Sequence, residues 1–116
     1  MSTIVLWVSD LNNTAAFYAD LFETNSPYVT EGFASVAGNG NEVLLHLLPE
    51  QYRSEPSIGE DNPIKPVFTV SSIQAARQVA AKHYCSFKED VMQHGSRNYV
   101  DGVDPDGHVI QVMVEN

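Results

Sequence analysis

An internal repeat is the feature of this sequence that most restricts its fold. Residues 6–19 align with residues 68–81 at an offset of 62, which matches Val8 with Val70. Residues 44–48 align with residues 109–113 at an offset of 65, which matches His46 with Gln111. Such a repeat indicates two copies of one supersecondary module. The 116 residues are therefore predicted to form a single domain with module 1 at 1–49, a linker at 50–63 and module 2 at 64–116.

Hydrophobic periodicity predicts the same order of elements in both modules. Module 1 is predicted to contain a helix at 11–22 capped by Asp10, a hairpin turn at 38–41, and strands at 3–9, 28–30, 33–37 and 43–48. Module 2 is predicted to contain a helix from Ser71 or Ser72 to Tyr84, and strands at 65–70, 87–92, 98–103 and 108–114. One helix cannot cover both faces of such a sheet, so the two βαβββ modules should pack around a cavity in an α+β fold.

The strand at 108–114 follows a turn of well-defined chemistry. Asp104–Gly107 combines a proline at the second position with a glycine that accepts positive φ. Both this strand and the one at 3–9 are apolar on each side, which predicts that both of their faces are covered. Gln111 interrupts the apolar run, and it needs a partner because an unpaired buried amide costs about 1–3 kcal/mol.

Charge and composition exclude several classes of partner. Residues 1–52 carry six acidic and no basic side chains, residues 53–116 carry nine and six, and the net charge is −9. This balance disfavours nucleic acid and favours either solubility alone or attraction of cationic ligands. No apolar run reaches the roughly 18–20 residues of a membrane span, and Cys85 is the only cysteine. A soluble cytoplasmic protein without a disulfide is expected.

Three segments, in this order and spacing, resemble the vicinal oxygen chelate superfamily. They are VSDLNNTAAFYADLF (8–22), VLLHLLP (43–49) and VDPDGHVIQV (103–112), and the resemblance extends over essentially the whole chain. The superfamily includes glyoxalase I, ring-cleaving dioxygenases, and the bleomycin and fosfomycin resistance proteins. The resemblance implies curved mixed sheets around a shared cleft, helices outside, and a homodimer in which each cleft is completed by the other subunit.

The resemblance also implies four positions at which the enzymes of the superfamily hold a divalent metal through His or Glu. Projected onto this sequence, they are Thr3, His46, Lys65 and Gln111. Only His46 is a good ligand, and a lysine ammonium repels a cation, so no metal cofactor is expected. The remaining histidines are predicted to be unrelated to a metal: His83, His94 and His108.

Strand parity predicts the residues that line the cavity. The candidate ligand-binding residues on these faces are Trp7, His46, Lys65 and Gln111, and the alternate residues of the same strands should meet the helices. Arg97, Tyr99 and Asp101 share one face of the penultimate strand, and the resemblance implies that this face lies near the mouth of the cavity, so they are candidates as well. Trp7 could be core or a stacking platform, and His46 a core histidine, a hydrogen-bonding group or a lone metal ligand. Lys65 could reach water or bind a ligand anion.

Three functions remain open at this stage. The leading hypothesis is a metal-independent protein that binds a small molecule in the cleft, as the bleomycin-resistance branch does. The alternatives are a divergent metal-dependent lyase or dioxygenase-type enzyme, and a dimeric interaction module with no ligand. The ligand is either a flat aromatic cation that stacks on Trp7 or an anionic or carbonyl group selected by Lys65.

Overall fold

The fold consists of two four-stranded mixed sheets and two helices. The computed structural model describes residues 2–52 and 63–115. Module 1 contains β1 (Ser2–Val8), α1 (Leu11–Leu21), β2 (Tyr28–Val29), β3 (Phe33–Gly38) and β4 (Asn41–Leu47), in the sheet order β1-β4-β3-β2. Module 2 contains β5 (Val67–Thr69), α2 (Ile73–Lys82), β6 (Met92–His94), β7 (Arg97–Val103) and β8 (Val109–Glu115), in the order β5-β8-β7-β6. The predicted α+β fold of two βαβββ modules is confirmed.

The connection between the modules is described only at its two ends. A short 3₁₀ helix covers Glu50–Tyr52, and the predicted linker at 50–63 otherwise lies largely outside the described residues. Neither helix of the described chain is long and apolar enough to cross a membrane.

Local sequence signals fix where the helices begin and end. Asp10 accepts a hydrogen bond from the Asn13 amide, and Ser72 accepts one from the Ala75 amide, so each helix has its predicted N-cap. The prediction that the second helix extends to Tyr84 is wrong. Tyr84 has a positive φ of 60° and the Cys85 amide bonds to the Ala80 carbonyl, which is the Schellman arrangement that ends a helix.

The predicted strand at 87–92 is also shifted. Phe87 makes only an isolated bridge with Gly102, and β6 does not begin until Met92. The ring of Phe87 lies against β7 at the glycine, where an added Cβ would stand 2.2 Å from a ring carbon. The ring of Phe87 thus fills the space that a side chain at position 102 would take.

One face of each sheet meets the helices and the other face is open. Six of the residues predicted to face the helices are buried: Leu6, Val8, Val43, Leu45, Ile110 and Val112. The other three, Ile4, Leu47 and Val114, are partly buried against the same core. On the opposite face Val5, Trp7 and Val67 are 47%, 51% and 47% exposed. The prediction that β1 is covered on both faces is therefore wrong for a single chain, and in β8 burial alternates in the same way.

Two side chains bind the edge strand of the opposite module. Asn41, at the start of β4, donates from Nδ2 to the Thr69 carbonyl (2.7 Å) and accepts at Oδ1 from the Thr69 amide (2.9 Å). His108, just before β8, donates from Nε2 to the Trp7 carbonyl (3.0 Å). Trp7 and Thr69 are 62 residues apart, and Asn41 and His108 are 67 residues apart, so the two contacts are equivalent. We call them the cross-module contacts.

The same register corrects the predicted repeat. Val8 pairs with Leu47, and Thr69 pairs with Met113, so Val70, the equivalent of Val8, lies opposite Val114. The last strands therefore correspond at an offset of 67 rather than 65, and His46 is not the equivalent of Gln111. A slip of two residues keeps every side chain on its own face, so an alternating apolar pattern cannot detect it.

We expect the cross-module contact of Asn41 to contribute measurably to stability. Replacing Asn41 with Ala leaves the amide and carbonyl of Thr69 without this partner, which should lower the free energy of unfolding by about 1–3 kcal/mol. Urea denaturation measures the change. Asn25→Ala, at an exposed loop position, is the control and should change stability by less than about 0.5 kcal/mol. Equal midpoints for Asn41→Ala and the control would contradict the assignment.

Candidate functional site

The candidate residues lie on the open faces of the two sheets, in two groups. Trp7 and His46 belong to the first sheet. The second sheet carries Arg97, Tyr99, Asp101 and Gln111, and Lys65 lies just ahead of β5. Both groups avoid the helix side, as strand parity predicts, but each sheet holds its own group.

An aromatic patch occupies the open face of module 1. Trp7 pairs with His46, and their ring centroids are 5.1 Å apart at an interplanar angle of 42°. Phe33 pairs with His46 from the other side, at 5.2 Å and 73°. Tyr28, 63% exposed, follows on β2 opposite Ser35. The aromatic patch is thus Trp7, Tyr28, Phe33 and His46, and half-exposed Trp7 is not a core residue.

Sequence reasoning missed two members of the aromatic patch, Tyr28 and Phe33. The alternation along β3, in which Ala34 and Val36 are buried, assigns Phe33 to the open face. This signal was present in the sequence, but the candidates in module 1 were taken only from its first and last strands.

A polar trio lies on the open face of module 2. Lys65 Nζ is 3.1 Å from Asp101 Oδ2, and Gln111 Nε2 donates to Asp101 Oδ1 at 2.9 Å. The Asp101 carboxylate thus supplies the partner that Gln111 requires. It also compensates the charge of Lys65, so the polar trio of Lys65, Asp101 and Gln111 carries no net charge.

The rest of β7 extends this face away from the polar trio. Tyr99 lies between Met92 and Met113 in the strand register, which gives it apolar neighbours on both sides. Arg97 lies opposite Glu115, with Nε 3.7 Å from Oε2, and its side chain is half exposed. As predicted, Arg97, Tyr99 and Asp101 share one face of the strand.

Two open cavities flank residues 63–66. One, of about 480 Å³, is lined by polar groups that include Lys65, Ser86 and Asp101. The other, of about 280 Å³, is mainly apolar and is lined by Val5, Trp7, Ile64, Pro66, His108 and Val109, among others. A molecule in the apolar cavity would contact Trp7 directly.

The four family positions do not fit a metal ion within one chain. Thr3 pairs with Glu42 and donates to its carboxylate at 2.6 Å, whereas His46 lies four residues further along β4, or about 13 Å away. The other two positions, Lys65 and Gln111, are both bound to Asp101. In residues 2–52 and 63–115, no three His, Cys, Asp or Glu side chains are grouped so as to hold a metal.

A buried polar network lies beneath Trp7. The Asp104 carboxylate accepts hydrogen bonds from the Tyr18 hydroxyl (2.7 Å), the His108 ring at Nδ1 (2.8 Å), and the backbone amides of Asp106 and His108. Burial alone would lower the pKa of His108, but the hydrogen bond and charge of Asp104 outweigh it and raise that pKa above its ordinary value of 6.5. Burial and then Asp104 raise the pKa of Tyr18.

The chain matches one protein family by its sequence and many solved structures by its fold. The family model described as Glyoxalase/Bleomycin resistance protein/Dioxygenase superfamily matches residues 1–112. No curated protein matches the chain.

Several solved structures share the fold at low sequence identity. A glyoxalase/bleomycin resistance protein from Albidiferax ferrireducens T118 is 15% identical with a TM-score of 0.74, covering 99% of this chain and 98% of that one. A glyoxylase/bleomycin resistance protein/dioxygenase domain from Frankia sp. EAN1pec is 17% identical with a TM-score of 0.71, covering 100% and 97%. A virulence protein from Salmonella typhimurium is 20% identical with a TM-score of 0.66, covering 100% and 96%.

Proposed function

The chain belongs to the glyoxalase/bleomycin resistance protein/dioxygenase superfamily, and from this premise we propose that it binds a planar small molecule without a metal. The observation that carries the proposal is Trp7, which is 51% exposed beside His46 at the edge of an apolar cavity. A large aromatic side chain in this position offers a stacking surface, and few polar groups are needed to orient the ligand.

The polar trio supports a role in hydrogen bonding rather than in charge selection. Lys65 would favour an anionic ligand if its ammonium were unpaired, but Asp101 lies 3.1 Å away. Residues 2–52, which include the described part of module 1, carry only acidic charged side chains besides one histidine. The proposed ligand is therefore a flat aromatic molecule that is neutral or cationic.

The donor set also supports binding over the metal-dependent alternative. A threonine, a histidine, a lysine and a glutamine stand at the family positions, and the strand register separates Thr3 from His46. A reducing, cytoplasmic location is part of the proposal, because Cys85 is the only cysteine and no internal disulfide can form.

A homodimer completes the proposal. The open faces of β1 and β5 expose Val5, Trp7 and Val67 to about half of their surface, which is unfavourable for a lone chain in water. A second copy that places its own open face opposite would cover these side chains and turn the open cavities into an enclosed cleft.

The first prediction concerns the ligand. Titration with metal-free bleomycin, a cationic glycopeptide that carries a flat aromatic bithiazole, should change the fluorescence of Trp7. Measured by calorimetry, Trp7→Ala should weaken binding at least about fivefold, since stacking contributes about 1 kcal/mol beyond the buried area. Tyr84→Ala removes an aromatic residue that is 99% exposed beyond α2 and serves as the control. Binding that Trp7→Ala leaves unchanged would place the site elsewhere.

The second prediction concerns metal content. Protein purified without an affinity tag and then dialysed should contain far less than one Zn, Ni, Mn or Fe per chain, because the family positions lack three imidazole or carboxylate donors. Elemental analysis by mass spectrometry makes the measurement. A value near one ion per chain that falls in His46→Gln would contradict metal independence and would make His46 a ligand.

The third prediction concerns assembly. Sedimentation at micromolar concentration should give twice the chain mass of 12.8 kDa. Val5→Glu places a charge on the open face and should shift the protein to monomer. Val29→Glu is the matched control, because Val29 is 40% exposed but pairs with Ala34 on the helix side of its sheet. A monomeric wild-type protein, or equal effects of both substitutions, would contradict this interface.

A further inference from the structure

The His108 ring has an acceptor at each of its two nitrogens. Nδ1 lies 2.8 Å from Asp104 Oδ2, and Nε2 lies 3.0 Å from the Trp7 carbonyl oxygen. A carbonyl oxygen cannot donate, and the Asp104 carboxylate already accepts from Tyr18 and two backbone amides. Both ring nitrogens must therefore carry a proton, which makes the ring an imidazolium cation.

When the His108 ring loses one proton, it loses one of its two hydrogen bonds, and the bond to the Trp7 carbonyl is the one expected to break. The neutral ring keeps a single N–H, and the charge-assisted bond to the Asp104 carboxylate is the stronger of the two. Nε2 then presents a lone pair to the Trp7 carbonyl at 3.0 Å, so two acceptors face each other. The carbonyl loses its cross-module contact, and the end of β1 that carries the Trp7 ring is no longer held against module 2.

We infer that protonated His108 positions Trp7 through its backbone, and that deprotonation of His108 releases Trp7 and thereby regulates the candidate binding face. The link between His108 and Trp7 stands on the hydrogen bonds alone. Its effect on ligand affinity rests on the proposed function.

The groups around this pair set the pH range. His108 faces Asp104 and Asp106 on its own turn and is linked through Asp104 to Tyr18 of α1, while Cys85 lies close enough to Asp104 for its thiol pKa to be raised by burial and by that charge. Because the pKa of His108 is raised in the fold, its contribution is complete below pH 6.5 and is lost as the pH rises through the raised value. His46 is a second histidine beside the reporter, with its ring 5.1 Å from that of Trp7, and its effect must be separated from that of His108.

The equivalent residue of module 1 supplies the test variant. Asn41 makes the corresponding cross-module contact to Thr69 with an amide that does not titrate. His108→Asn therefore replaces a titrating donor with a donor that has no charge to lose. A variant of this kind should keep the Trp7 contact and remove its pH dependence.

The experiment follows the fluorescence of Trp7, the only tryptophan, from about pH 5 to about pH 9 without ligand. Wild-type protein should show a transition with its midpoint above 6.5, His108→Asn should lose it, and His46→Gln, included only to separate the two histidines, should retain it. A transition that persists in His108→Asn, or that disappears in His46→Gln, overturns the inference.

A second measurement uses the unsubstituted protein and so does not depend on the folding of a variant. Nitrogen NMR near pH 6 should show both ring nitrogens of His108 protonated. The Val8 amide belongs to the same peptide bond as the Trp7 carbonyl, so its signal should shift with the same midpoint as the ring. A neutral ring near pH 6, or a ring that titrates without a shift at Val8, overturns the inference.

Loss of bleomycin affinity across this transition in wild type, but not in His108→Asn, supports the regulatory role. Unchanged affinity refutes that role, whereas failure of bleomycin to bind at any pH refutes the proposed function and leaves the link to Trp7 intact.

Discussion

The arrangement of the two modules depends on how the edge strands β1 and β5 satisfy their backbone groups. An edge strand leaves amides and carbonyls without sheet partners, and β1 and β5 each receive a side chain from the other module. Asn41 pairs with both the amide and the carbonyl of Thr69, much as a neighbouring strand would. His108 makes one charged contact to Trp7 and anchors it to the buried Asp104. The equivalent residues Asn41 and His108 thus bind the unpaired backbone groups of an edge strand in two ways, one through a neutral amide and the other through an ion pair.

Much of the fold could be predicted from the sequence because its signals are local. The caps at Asp10 and Ser72 and the alternation of buried residues along the strands each follow from a few neighbouring residues. The incorrect predictions concern strand registers and strand positions that depend on residues far away in the sequence. The offset of the last strands differs by an even number of residues, which the alternating pattern cannot reveal, and the way the segment at 87–92 pairs with β7 depends on residues further along the chain, such as Gly102.

The candidate site shows the same division between local and distant information. The need of Gln111 for a partner followed from its position in an apolar strand, whereas the identity of Asp101 as that partner depends on the register of β7 against β8. His108 was set aside as unrelated to a metal, and its chemistry depends on the carbonyl of Trp7, 101 residues away. The paired charges of Lys65 and Asp101 likewise could not be anticipated from composition.

The turn at 104–108 makes the two halves of the chain unequal partners. The equivalent turn of module 1, with Asn39 and Gly40 at positive φ, is a tight hairpin connection with the sequence GNGN. The turn of module 2 instead buries Asp104 against Tyr18, while Asp106 accepts from the Ser9 amide at the start of α1. A protein assembled from two copies of residues 1–49 would have no carboxylate for the buried tyrosine hydroxyl. Two copies of module 1 would repeat the contact of Asn41, but only the divergent turn of module 2 supplies the carboxylates that bind Tyr18 and the Ser9 amide.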